Sequence, residues 1–191
     1  MDYKSIKQYI GNRQQLFSVR ESRLVGGRVD GVRVIDVQNG GNLSVTIVPD
    51  RCMDIFSVRF KGRCLNYITS NALAHPAYYE VTGEGWSEAF SGGFLYTCGL
   101  SNTGLRSGTE WDAQKEHGCI ANRPAERVNI VETESPDGPA VEITGKMKEG
   151  MLAGTNLSLT RSIRLYYQRD VVEVTDTVKN EGFRRVPHTI L

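Results

Sequence analysis

The chain has 191 residues, 39% of them apolar and 24% charged, with a formal net charge of +1. That balance suits one folded domain with a sizeable core and excludes wholesale disorder. Lysines, arginines and carboxylates are interleaved without a basic stripe, so there is no electrostatic footprint for nucleic acid or an anionic membrane surface.

The first segment, MDYKSIKQYIGNRQQLF, lacks the apolar stretch and small-residue cleavage site of a secretory leader. No apolar run is long enough to cross a membrane as a helix, and the expected location is cytoplasmic. Cys52, Cys64, Cys98 and Cys119 lie far apart with no C-x-x-C pair, which predicts reduced and mostly buried thiols. From residue 32 the dominant period is two. In VRVIDVQNGGNLSVTIVPD (32–50), Val32, Val34, Leu43, Val45 and Ile47 alternate with polar residues about QNGG, the pattern of a hairpin. MDIFSVRFKGRCLNYI (53–68) repeats it, with Lys61-Gly62 at the turn.

Residues 70–123 lose the alternation. They form a long aromatic- and glycine-rich connection, with one helical turn expected about Gly85 to Phe90. Connections of this length in a compact domain usually carry function. Four alternating segments then follow: ERVNIVETE, PAVEITGKMKEG, NLSLTRSIRLYY and VVEVTDTVKNEG, separated by SPDG, residues 150–155 and Gln168-Arg169-Asp170. The chain closes on NEGFRRVPHTIL, which starts a further strand. This predicts a chain cut short, with an apolar sheet edge at Val186, Ile190 and Leu191. The whole reads as an all-β antiparallel sandwich with little helix, one domain over 1–191.

His117, in KEHGCIANRPAE, is one of three histidines. Its imidazole titrates near neutral pH and suits acid/base work, while Gly118 permits close backbone approach. The plainer alternative is a loop histidine bonded to backbone. In VPDRCMDI (48–55), Arg51 offers a donor fork and Asp54 an acceptor at a strand junction, unless the two are a structural ion pair. Trp86, Phe94 and Tyr96 offer aromatic faces to a sugar or to the core. Asn102 could bind hydroxyls or shape a turn. Glu84, Glu88, Glu110, Asp112 and Glu116 are candidate carboxylate bases that the sequence does not rank. There is no nucleophile elbow, Walker loop or dinucleotide fingerprint. A metal site would have to recruit His75, His117 and His188 from distant loops, so neither metal nor cofactor is expected.

Taken in order, VPDRCMDI, GWSEAFSGGFLYTCGLSNTG, EHGCIANRPAE and NEGFRRVPHTIL resemble an aldose-1-epimerase-like family of bacterial proteins in the galactose mutarotase-like superfamily. The family's usual forms are similar to PDRGMDI, GG-L-x-T-CGL-x-N-x-G and L-HG-R-I-x-N-x-PA, and the resemblance runs from about residue 14 to the end. It implies an antiparallel β-supersandwich, incomplete at the C-terminus and representing the N-terminal two-thirds, with a sugar-binding cleft. It also implies isomerase chemistry in carbohydrate metabolism: a histidine protonates the ring oxygen of an aldose while a glutamate takes the anomeric proton.

On that resemblance His117 is the catalytic histidine; Arg51, Asp54, Trp86 and Asn102, read from the residues themselves, are the expected substrate-site residues, with His188, which precedes the slot of the family's second histidine, added to them. The alternative on the same scaffold is a carbohydrate-binding or regulatory protein without turnover. Cys52 stands where the family has glycine, Cys119 where it has arginine, and the family's catalytic glutamate falls beyond residue 191. The chain alone is therefore expected to be inactive, with a small-molecule sugar as ligand. It is expected to form a homodimer or to associate with a missing C-terminal part. Arg51, Asp54, Trp86, Asn102 and His117 are expected to converge on one open face.

Overall fold

The computed structural model describes residues 3–82, 84–106, 108, 115–135, 138–152 and 154–191. Two antiparallel sheets dominate it. The first has the order β1-β2-β3-β4-β5, from β1 (Ser18–Arg23), β2 (Arg33–Gln38), β3 (Leu43–Val48), β4 (Asp54–Phe60) and β5 (Arg63–Cys64). Its turns follow from their residues. Between β2 and β3, the Asn39 side-chain oxygen accepts from Gly41 N at 2.9 Å and Leu43 N at 3.2 Å, and Gly40 takes a φ of 74°. Between β4 and β5, Lys61 and Gly62 both adopt positive φ (50° and 78°), as a two-residue hairpin loop requires.

Short pairings in the long connection come next: β6 (Tyr67–Ile68) with β7 (Gly92–Gly93), the helical turn α1 (Gly85–Ala89) lying between them, and then β8 (Gly99–Leu100). The second large sheet comprises β9 (Glu126–Ser135), β10 (Gly138–Gly150), β11 (Asn156–Tyr166) and β12 (Val172–Asn180), in the order β12-β11-β10-β9. The four alternating segments of the sequence are these four strands. Their inward phase supplies Val141, Ile143, Met147, Leu157, Leu159, Ile163 and Leu165, which pack with Ile35, Val37, Val45, Ile47 and Ile55 of the first sheet into one core. On the outward phase Arg164 meets Glu142 at 3.1 Å and Ser162 donates to the same carboxylate at 2.6 Å. These donors hold the Glu142 carboxyl below the usual carboxylate range.

Two readings of the strands need correction. Val32 and Val34 do not share the face of Leu43, Val45 and Ile47. They pack with Val48 and Leu73 in a second small cluster, while Ile35 and Val37 of β2 face the main core. Both faces of β2 are therefore covered, and strict alternation cannot show this. Nor is the end of the chain unpaired. Here β13 (Thr189–Ile190) pairs with β8, Thr189 opposite Leu100 and Ile190 opposite Gly99. Cys98 and Leu191 exchange both backbone bonds, at 2.8 and 3.1 Å. Val186 packs against the core, and the apolar exposure that remains there is Ile190 and Leu191.

All four cysteines are free, with Cys52, Cys98 and Cys119 buried and Cys64 exposed. Burial pushes the Cys52 thiol well above its ordinary value, with the nearby Asp54 adding to the shift. No helix among the described residues is long and apolar enough to cross a membrane.

Candidate functional site

The His-Gly pair is explained by backbone geometry. His117 has a φ of 50° and Gly118 of 74°, two successive residues in the left-handed region. A Cβ on Gly118 would overlap the carbonyl of Gly99 and lie 2.8 Å from the carbonyl oxygen of Asn102. Only glycine lets this turn lie flat against β8. The contact is held by Gly99 N donating to His117 O at 3.0 Å and by His117 N donating to Gly104 O at 2.8 Å.

The imidazole is oriented on two sides. Its Nδ1 lies 2.8 Å from the carbonyl oxygen of Thr103. A carbonyl can only accept, so Nδ1 carries the hydrogen, and in the neutral ring Nε2 presents its lone pair. Among the described residues no group bonds Nε2. The ring packs on Trp86, with centroids 4.1 Å apart. Trp86 in turn stacks on Phe90 at 4.9 Å and meets the edge of Tyr96 at 6.4 Å. The Trp86 indole nitrogen is buried and has no hydrogen-bond partner among the described residues.

Arg51 and Asp54 are not where an open cleft would need them. Both are buried, at 3% and 4% exposure, and a void of about 10 Å³ beside them and Tyr96 has room for a water at most. Arg51 spends its fork on carbonyls: Nε to Ala121 at 2.9 Å, Nη1 to Ala74 at 3.0 Å and Nη2 to Ala89 at 3.0 Å. It ties three loops together and fixes the end of α1, the turn that carries Trp86. Burial pushes the neighbouring Tyr96 hydroxyl up, against the lowering effect of Arg51. Asp54 does not pair with Arg51. Its carboxylate accepts from Thr97 N at 2.9 Å, Thr97 Oγ1 at 2.5 Å and Arg161 Nη1 at 2.7 Å.

Arg161, on β11, is the residue that sequence reasoning missed. It is 1% exposed and bridges Asp54 to Asp176 of β12, with Nε and Nη2 donating to the Asp176 carboxylate at 2.8 and 2.7 Å. Nη1 also reaches the Cys52 carbonyl at 3.2 Å. Burial raises the Asp54 carboxyl while Arg161 opposes the rise. Burial alone would lower the Arg161 pKa, but its bonds to Asp176 and the charge of Asp54 hold it above the ordinary arginine value. The signal was available: Arg161 falls on the inward phase of β11, between Leu159 and Ile163.

Cys52 and Met53, at the start of this bracket, both take positive φ (56° and 58°). That conformation is why glycine suits position 52, and the cysteine here is held in a backbone shape that favours glycine.

Asn102 is likewise spent on structure. Its amide donates to the carbonyls of Gly104, Leu105 and Lys115 at 2.9, 3.1 and 2.8 Å, which shapes the turn that presents Thr103 to His117. The asparagine with capacity left is Asn122, five residues beyond His117. It is 7% exposed, and neither its amide nitrogen nor its oxygen has a partner among the described residues. Buried orphan amides are rare in native structures and call for an explanation.

His188 is exposed, just ahead of β13, and takes no part in the Trp86–His117 ring contacts. His75 caps the 3-10 turn at Pro76–Tyr78, its Nδ1 accepting from Ala77 N at 3.1 Å. Phe94 is 49% exposed. Of the candidate bases, Glu84 and Glu88 are exposed and Glu116 half-buried, while Glu110 and Asp112 lie outside the described residues. A hollow of about 360 Å³ among Glu21, Arg23, Arg33 and Val128 is lined by none of these residues. Its arginines are engaged, Arg33 with Asp50 at 2.6 Å and Arg23 with the Gly31 carbonyl at 3.1 Å. No group of three or more histidines, cysteines or carboxylates placed to hold a metal ion occurs among the described residues.

Comparison with known proteins bears on the fold. A family model described as "Domain of unknown function (DUF4432)" matches residues 29–191. The chain belongs to the DUF4432 family. The DUF4432 chain also superposes on the crystal structure of a protein from Klebsiella pneumoniae subsp. pneumoniae MGH 78578, provisionally described as an aldose 1-epimerase. The TM-score is 0.80 and the identity 22%, covering 90% of this chain and 47% of that one. A second solved structure, galactose 1-epimerase from Lactobacillus acidophilus NCFM, matches at a TM-score of 0.48 and 9% identity, over 86% of this chain and 49% of that one. No curated protein matches the sequence. The DUF4432 chain thus has the all-β sandwich fold of the Klebsiella protein and spans about half the length of the solved structures it matches.

Proposed function

We propose that this DUF4432 chain is the histidine-bearing half of a carbohydrate-binding, aldose-1-epimerase-like protein that interconverts sugar anomers in its full-length form. The observation that carries this reading is the His117 ring. It is anchored through Nδ1, backed by the Trp86 face at 4.1 Å, and no group among the described residues bonds its Nε2. The C–H face of a sugar suits an indole face, and the Asn122 amide, without a partner among the described residues, is a candidate for binding a hydroxyl. Arg51, Asp54 and Arg161 support the loops behind this face and do not touch the ligand.

In the full-length protein, protonated His117 donates its Nε2 hydrogen to the ring oxygen as an opposing carboxylate removes the anomeric hydroxyl proton. The C1 to ring-oxygen bond breaks and a carbonyl forms at C1. Rotation about C1–C2 and reversal of the two proton transfers give the other anomer.

For the chain by itself, binding without turnover is favoured by a specific observation. Among the described residues, Asp54 and Glu149, two buried carboxylates near the loops that meet at His117, are both occupied by protein donors. One acid without its base forgoes roughly 10²–10⁴-fold of catalysis. Polarimetry over a panel of aldoses should therefore show no mutarotation by the 191-residue chain above the buffer rate, with His117→Ala identical to it. Robust turnover that disappears in His117→Ala would overturn the binding-only reading of this half. As for assembly, β12 ends its sheet with most of its residues exposed, an edge along which a second copy could pair.

A further inference from the structure

Glu149 lies near the end of β10, on the same inward phase as Ile143 and Met147. It is 8% exposed, a carboxylate on a face otherwise given to apolar side chains. Burying a carboxylate there costs stability unless donors compensate, and no cation pairs with it among the described residues. Its partners are two donors of one segment. Leu100 N donates to Oε2 at 2.8 Å and the Ser101 hydroxyl donates to Oε1. A leucine or methionine would satisfy the core at that position. What the carboxylate adds is a fixed origin for residues 100–104.

That segment holds the imidazole. Gly99, adjoining Leu100, bonds the His117 carbonyl at 3.0 Å. From Ser101 the chain enters the turn in which Asn102 clamps the carbonyls of Gly104, Leu105 and Lys115. That turn aims the Thr103 carbonyl at His117 Nδ1, 2.8 Å away. We propose that Glu149 is a positioning residue for His117: through Leu100 and Ser101 it holds the Thr103 carbonyl in place and so fixes the Nδ1–H tautomer that leaves Nε2 facing the ligand. The use of that Nε2 in sugar chemistry rests on the function proposed above; the positioning itself does not.

The test reads the tautomer directly, by long-range nitrogen–proton correlation of the ¹⁵N-labelled 191-residue chain at a pH where His117 is neutral. His117→Ala assigns the signals. The unsubstituted chain should show His117 with hydrogen on Nδ1. In Ser101→Ala and Glu149→Gln, which keep the size of the site, the ratio of Nδ1–H to Nε2–H should fall by about fivefold, the effect of one net hydrogen bond. The outward-facing control Glu142→Gln should leave it unchanged. Glu149→Ala should drop the ratio further if that variant folds; the other two carry the test if it does not.

An unchanged ratio in folded Ser101→Ala and Glu149→Gln would overturn the proposal. A changed ratio in a chain that binds no aldose would uphold the positioning role and count against the sugar reading, so the two failures are distinguishable.

Discussion

Replacing Gly118 by alanine is expected to destabilise the chain by more than about 2 kcal/mol and to abolish ligand binding with it. Two costs add. The φ of 74° is left-handed, which disfavours a side chain by roughly 1–2 kcal/mol. The new methyl would also overlap the Gly99 carbonyl and sit 2.8 Å from that of Asn102. These are backbone atoms of the one segment, residues 99–104, that holds His117, so neither can yield without moving the imidazole. Gly104→Ala is the control. Among the described residues a Cβ there would meet only the Asn102 side-chain oxygen, at 3.8 Å, and the variant should melt close to the parent chain. Thermal unfolding of the pair is the measurement. A Gly118→Ala chain that melts with the parent would show that the turn is far looser than described.

The second large effect is expected at Arg161. Arg161→Met keeps most of the side-chain volume but removes the cation between Asp54 and Asp176, both of which it contacts at 2.7 Å. Removing one partner of a buried ion pair typically costs 3–5 kcal/mol, because the other charge stays buried and unpaired. Set against a total stability of roughly 5–15 kcal/mol, such a loss removes a large share of the margin. Asp54 is already raised by burial, and without Arg161 it would be pushed further toward the neutral form. Adding Asp54→Asn to Arg161→Met removes the unpaired charge and should recover part of the loss. Urea unfolding of the single and double variants reads this out. A single variant within about 1 kcal/mol of the parent would mean that the bridge does not hold the two sheets together.

Where the fold was legible in the sequence, one face of a strand was buried and the other wet. The segments of β10 and β11 alternate in this way, those of β9 and β12 only half-bury Val128, Ile130, Val172 and Val178, and the Asn39-Gly40 and Lys61-Gly62 turns carry residues suited to their backbone. The reading failed where both faces are covered, as at Val32 and Val34, whose second face meets Leu73 from the long connection.

The site was legible in its glycine and little else. His-Gly at 117–118 marks a turn that only glycine can complete. The roles of Arg51 and Asn102 depend on carbonyl groups that no pattern announces: Arg51 reaches carbonyls 23, 38 and 70 positions away. Arg161 and Glu149 were findable, because a charged residue on the inward phase of a strand must be paired or functional. Asn122 was not, since its distinguishing property is an amide left without a partner inside the fold.

The most direct measurement is a titration of the ¹⁵N-labelled chain with a panel of aldoses, following the Trp86 indole N–H and the His117 ring signals. Binding at the proposed face should shift both together and saturably, with the shifts lost in Trp86→Ala and His117→Ala. Saturable shifts confined to the hollow at Glu21, Arg23 and Arg33, or no shift with any aldose, would contradict the assignment of a sugar site to Trp86 and His117.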